Sequence, residues 1–192
     1  MNLLIIFLVT ASYFFGAKAL FENKYFPNIY SRIIWLLLTI NGLVSVILLK
    51  NSPSIILFAV LGFIGSLLIF VLSLKKSKKI FGPVEFISTI FLFVSLGLWI
   101  FTKLPFLNLS IGLIISFIGG IPTFVKVIKD PNDEDILFWL FFALGSFVTL
   151  LDSDRSNISG YLFPLYYLIT NAVMTLLCMR RYLKNKISNL KK

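Results

Sequence analysis

The chain has 192 residues, 58% of them hydrophobic and 14% charged, with a formal net charge of +10. Soluble domains carry about a quarter charged residues, so a mean hydropathy of +0.96 excludes an ordinary water-soluble fold and points to an integral membrane protein. With no histidine and a single cysteine, Cys178, the usual His- and Cys-based metal and nucleophile sets have no candidates.

A membrane-spanning helix needs about 20 apolar residues, and β-barrel strands would be ~10-residue alternating segments. The run SIILFAVLGFIGSLLIFVLSL from Ser54 is continuously apolar, so helices are expected. The first span is expected over about 2 to 20. It ends in Ala17-Lys18-Ala19, which loosely resembles a signal-cleavage site, but it lacks a basic start and is expected to remain a span.

The second span, 31 to 50, follows Pro27-Asn28 and carries Trp35, Asn41 and Ser45. The third, 53 to 74, carries Gly62 and Ser66, and the basic loop Lys75, Lys76, Lys78 and Lys79 follows it. The fourth, 81 to 102, has Glu85 just inside its start, where a side chain can snorkel and pair with that loop; the competing role is a protonatable gate. The fifth, 104 to 127, carries Gly112, Ser116 and Gly120 at four-residue spacing, which together with Gly62 and Ser66 suits close helix packing.

Between the fifth and sixth spans stand Asp130, Asp133, Glu134 and Asp135, expected to cap the next helix, with Lys126 and Lys129 beside them, so no metal is expected. The sixth span, 134 to 151, contains Trp139; the seventh, 159 to 180, contains Pro164, Tyr167, Asn171 and Thr175 on one helical face. Lys18, Lys24, Arg32, the Lys75 to Lys79 group, Lys126, Lys129 and the tail residues Arg180, Arg181, Lys184, Lys186, Lys191 and Lys192 fall on one side. Lys50, Lys103 and Arg155 fall on the other, which predicts an N-out, C-in chain whose basic face meets anionic lipid and needs no nucleic acid. Asn157-Ile158-Ser159 matches a glycosylation sequon in an outer loop.

Two segments repeat. PNIYSRIIWLLLTINGL from Pro27 matches PNDEDILFWLFFALGSF from Pro131, each with Trp eight residues after Pro; GFIGSLLIFV from Gly62 more weakly matches NAVMTLLCMR from Asn171. Spans 1, 2 and 3 thus map onto 5, 6 and 7, a 3+1+3 parallel repeat of triple-helix bundles. Residues 1–74 are expected to form the first bundle, 75–103 a linker helix, 104–180 the second bundle and 181–192 a basic cytoplasmic tail.

With IPTFVKVIKDPNDEDILFW placing Pro122-Thr123 before a short basic loop and an acidic helix start, the chain resembles the PQ-loop superfamily: SWEET-type sugar transporters, half-size SemiSWEETs and PnuC-type vitamin transporters. Its nearest likeness is to bacterial seven-helix members. Thr123 stands where the family has Gln, and Tyr13-Phe14 where the first bundle would have Pro-Gln. The resemblance implies a cell-membrane facilitator for a small polar solute such as a sugar or vitamin-like molecule, with an Asn at the place of Asn171 lining the pocket.

Asn171, Tyr167, Thr175 and Asn41 are therefore the candidate solute contacts, with interhelical bonding as the competing role for each amide. Pro122 could hinge the inner end of the fifth span with Thr123 as gate. Trp35 and Trp139 suit either headgroup anchoring or an inner aromatic gate. Neither an enzymatic triad nor a cofactor site is expected. The expected partners are the bilayer and the solute, with a homo-oligomer left open, and the alternative function is a non-transporting scaffold or sensor.

Overall fold

The computed structural model describes residues 1–22, 27–77, 81–154 and 158–190, leaving aside the side chains at 84, 95, 98, 99, 102, 122, 133 and 181–190. Lys24, Lys78, Lys79, Arg155, Asn157, Lys191 and Lys192 thus lie outside the described residues, as do the side chains of Pro122, Asp133, Arg181, Lys184 and Lys186. The described residues form seven α-helices and no strand: α1 (Asn2–Phe21), α2 (Ile29–Leu48), α3 (Pro53–Ser73), α4 (Pro83–Thr102), α5 (Pro105–Lys129), α6 (Ile136–Leu151) and α7 (Ile158–Leu190). A single 3-10 turn, Pro131–Asp133, precedes α6.

Local chemistry sets the helix ends. Asn28 caps α2 by accepting from the Tyr30 N–H, and Asp135 caps α6 by accepting from Leu137 N–H at 2.8 Å and Phe138 N–H at 3.1 Å. Two tight links use one device: Lys50 and Lys103 take left-handed backbone at φ 53, and Pro53 and Pro105 then open α3 and α5. Lys76 reaches back to the carbonyls of Leu20 and Phe21 at the end of α1, both at 3.2 Å.

Among the described residues, five helices, α1, α2, α3, α5 and the part of α7 to Arg180, are long and apolar enough to cross a membrane. The sixth falls short of expectation at 16 residues, about 24 Å against a hydrocarbon core of about 30 Å. Its start moves from 134 to 136 because Asp135 is spent as its cap and Glu134 stays in the connector. The seventh continues as helix to Leu190, through the segment expected as a tail. Leu3, Phe7, Phe14, Phe93, Phe101 and Leu176 are all more than 60% exposed, a surface that water would penalise and lipid covers.

α3 packs against both α1 and α2, and α7 against both α5 and α6. Across these groups, α1 lies on α6 and α2 on α5, while α4 rests on α5 and α2. Ser12 on α1 donates to the Phe138 carbonyl on α6 at 2.7 Å, tying the two groups together. Lys18, Arg32, Lys75, Lys76, Lys126, Lys129 and Arg180 gather toward one end of the bundle, called the basic end below. The far half holds the main apolar core, including Ile5, Val9, Val46, Ile55, Phe58 and Leu109.

Candidate functional site

Between α1, α2, α3, α5, α6 and α7 lies a cavity of about 90 Å³, room for several waters or a small solute. Toward the far half it is bounded by Phe58, Phe142, Phe163 and Tyr167, whose rings meet at centroid distances of 5.0 to 6.1 Å. Edge contacts of this kind favour a fixed arrangement. From there the lining descends past Asn171 and Gly62 to Arg32 and Phe124 near the basic end.

Helices α1 and α3 build one wall around a single crossing. The Tyr13 phenol donates to the carbonyl of Gly62 at 3.0 Å, and its ring lies directly over Gly65, where a Cβ would overlap it. Gly65 is thus a close-approach glycine. Gly62, one turn away, is different: a Cβ there meets nothing within 4 Å, so it leaves open space in the cavity and does not serve close packing. Ser66, Ser116 and Gly120, also expected as packing residues, line the cavity as well, whereas Gly112 packs against the Asn41 amide.

Helix α7 supplies the opposite wall. Asn171, 5% exposed, donates from Nδ2 to the Tyr167 carbonyl at 2.6 Å, and its side chain lines the cavity with those of Tyr167 and Tyr166. The lining stripe runs through Phe163, Tyr167, Thr170 and Met174. Thr175 lies one turn beyond Asn171 but is not among the described lining residues, and its hydroxyl bonds the Asn171 carbonyl at 2.8 Å.

Asn41 is displaced from the expected site as well. Its Oδ1 accepts from Asn108 Nδ2 at 2.6 Å, and the same Nδ2 reaches Ser45 Oγ at 2.9 Å, a buried polar cluster between α2 and α5. Glu85 lies in the first turn of α4, as expected, but its described partners are not the loop lysines. It is 7% exposed and accepts from Asn28 Nδ2 and Ser31 Oγ, both at 2.8 Å, and from the Gly82 N–H at 3.0 Å. It closes the first turn of α4 as a capping box would and is not a cavity residue.

At the basic end, Trp35, Thr123 and Trp139 all line the cavity. Trp139 is only 6% exposed, which is not the setting of a headgroup anchor. Its indole N–H faces the Glu134 carboxylate closely enough to favour the charged form, yet without hydrogen-bond geometry. The Trp35 N–H sits beside Gly119, again with no hydrogen bond. Glu134, 7% exposed in the connector before α6, meets Lys126 Nζ at 3.5 Å. Burial pushes its carboxyl above the ordinary glutamate range, against the opposing pull of Lys126 and Arg32. Pro122 lies within α5, beside Thr123, with its side chain outside the described residues. Of the loop acids expected as caps, Asp130 and Asp135 cap while Glu134 pairs with Lys126.

Three residues important here escape a reading of runs and loops. Arg32 falls in the tally of basic-side charges, although a cation already past the start of an apolar run differs from a loop lysine. Asn108 is an amide in an apolar span, flagged by the same criterion as Asn171. Tyr13 carries no such signal, because only its neighbours give it a role. Chemically, the described lining residues offer aromatic faces, several hydroxyls, one amide and one cation. No protein-family model, curated protein or solved structure matches the chain.

Proposed function

We propose that the chain is a seven-span, N-out and C-in facilitator for a small polar solute in the cell membrane, working by alternating access between two parallel three-helix bundles joined by α4. The observation that carries this reading is the cavity lined by the six helices other than α4, reached by Asn171 and left open at Gly62. The bundle reading is supported by α3 lying between α1 and α2, by α7 lying between α5 and α6, and by α1–α6 and α2–α5 contacts linking the two sets. Although α6 is short, it packs along α1 and α7. Asn171, Tyr167 and Gly62 would contact the solute, and Thr123 with the paired tryptophans would bound its path at the basic end. A scaffold would be expected to fill this interface with side chains, so the cavity favours transport over the non-transporting reading.

Osmotic swelling of proteoliposomes in a panel of isotonic sugars, polyols and pyridine amides tests this. At least one solute should enter faster than in empty liposomes, Asn171→Ala should slow it, and Gly62→Leu should stop it. Identical swelling of wild type and both variants across the panel would sink the proposal.

A further inference from the structure

Several donors in the cavity wall are already engaged. The Tyr13 phenol donates to the Gly62 carbonyl at 3.0 Å, and the Thr39 and Thr170 hydroxyls donate to carbonyls of their own helices at 2.8 Å. The indole N–H groups of Trp35 and Trp139 have no hydrogen bond, but both are buried, one beside Gly119 and the other facing Glu134, so neither opens on the cavity. Asn171 is the opposite case. Its Nδ2 donates to the Tyr167 carbonyl at 2.6 Å, and because a carbonyl can only accept, that bond fixes which end of the amide is which. Oδ1 is left as an acceptor with no hydrogen-bond partner among the described residues, on a side chain that is 5% exposed and lines the cavity. Unlike the indole nitrogens, it is not closed off from open space. The hydroxyls of Ser66, Thr123 and Tyr167 can turn either way, so Asn171 is the lining group whose demand is fixed. Its equivalent in the repeat is Gly62, where a Cβ would meet nothing within 4 Å, so the α3 wall offers space and no second amide.

We infer that the cavity selects a small, neutral, planar molecule carrying an N–H or O–H donor, with that donor on Asn171 Oδ1 and the flat body in the ring-lined space at Gly62. This rests on the reading of the cavity as a solute site. The donor discriminates, because an isostere without it leaves Oδ1 unpaired, and a buried group left unpaired is costly. The aromatic walls of Phe58, Phe142, Phe163 and Tyr167 accept a flat body without further hydrogen bonds. At about 90 Å³ the cavity is smaller than the about 150 Å³ in which an engineered apolar cavity holds benzene, so a five-membered ring suits it better than a larger one. Arg32 lies over the Trp35 ring, 5.4 Å from its centroid, and within electrostatic reach of Glu134, so its charge is answered within the protein and a neutral solute leaves that balance undisturbed.

Protein in lipid nanodiscs, titrated with pyrrole and with furan, tests the inference through tryptophan emission, since Trp35 and Trp139 border the cavity. The two rings share size and planarity, and only pyrrole donates. Empty nanodiscs correct for partition into lipid. Pyrrole should bind saturably and tighter than furan by about two- to tenfold, the factor of one neutral hydrogen bond. Asn171→Leu should abolish or reverse that ranking, because the pyrrole N–H then enters without an acceptor, and Gly62→Leu should weaken both ligands by filling the space. Should Asn171→Leu fail to fold, N-methylpyrrole on the wild-type protein removes the donor from the ligand side and should bind no better than furan. Furan binding as tightly as pyrrole, a preference that persists in Asn171→Leu, N-methylpyrrole binding like pyrrole, or no saturable binding of either ring overturns the inference. Swelling by a sugar that responds to Asn171→Ala would then leave transport standing, whereas a pyrrole preference without any swelling would remove transport and keep the site.

Discussion

Gly62 and Gly65 lie three residues apart on one helix, and the structure predicts opposite responses to a single added methyl group. At Gly65 the Cβ would overlap the Tyr13 ring. That ring cannot simply retreat, because it is held edge-on by Phe138 at 5.7 Å and Phe142 at 5.6 Å, and its hydroxyl is tied to the Gly62 carbonyl. Overpacking costs about 1–3 kcal/mol and loss of the hydrogen bond about 1 kcal/mol, while alanine returns about 1 kcal/mol of helix propensity. Gly65→Ala should therefore lose about 1–3 kcal/mol. Gly62→Ala meets open space and should be neutral or gain up to about 1 kcal/mol. Reversible unfolding in mixed micelles, followed by circular dichroism, measures both, and a cycle with Tyr13→Ala isolates the contact. In the Tyr13→Ala background the cost at Gly65 should largely vanish. Equal stability of the two alanine variants, or an unchanged Gly65 cost without Tyr13, would refute the account of this crossing.

The Lys126–Glu134 pair makes a pH-dependent prediction. Lys126 is partly exposed and Glu134 is not, so Lys126→Met should cost about 1–3 kcal/mol at neutral pH, between a surface pair and a buried one. Because burial raises the folded-state Glu134 carboxyl, its ionisation opposes folding. Stability from this group is greatest below the ordinary glutamate value of about 4.3 and falls as pH rises toward the folded value. Lys126→Met should steepen that fall, and adding Glu134→Gln should flatten it; a pH series of unfolding free energies that is parallel in all three proteins would contradict the pairing. Between α2 and α5, Asn108→Leu should cost about 1–2 kcal/mol by stranding the buried Asn41 amide. The double variant Asn41→Leu/Asn108→Leu should recover part of it, whereas additive losses in the same assay would show that the two amides act independently.

Composition and run length alone determined that the chain is helical and built for a bilayer, because continuous apolar segments of about 20 residues have few other uses. Helix ends were legible to within a few residues where the chemistry is local: Asp135 belongs to the acids expected to cap α6, and α3 begins at the expected Pro53. Periodicity could place Tyr167 and Asn171 on one face, but not the direction of that face. Only packing against α5 and α6 turned the α7 stripe toward Met174 and left Thr175 outside. The same limit separates Asn41 from Asn171, two mid-span amides alike in sequence, one of which bonds a neighbouring helix while the other borders open space. Tertiary structure also decided that Gly62 opens a cavity while Gly65 closes on a ring, and that Arg32 borders that cavity. These are properties of what lies opposite a residue, and what lies opposite is set by helices distant in sequence.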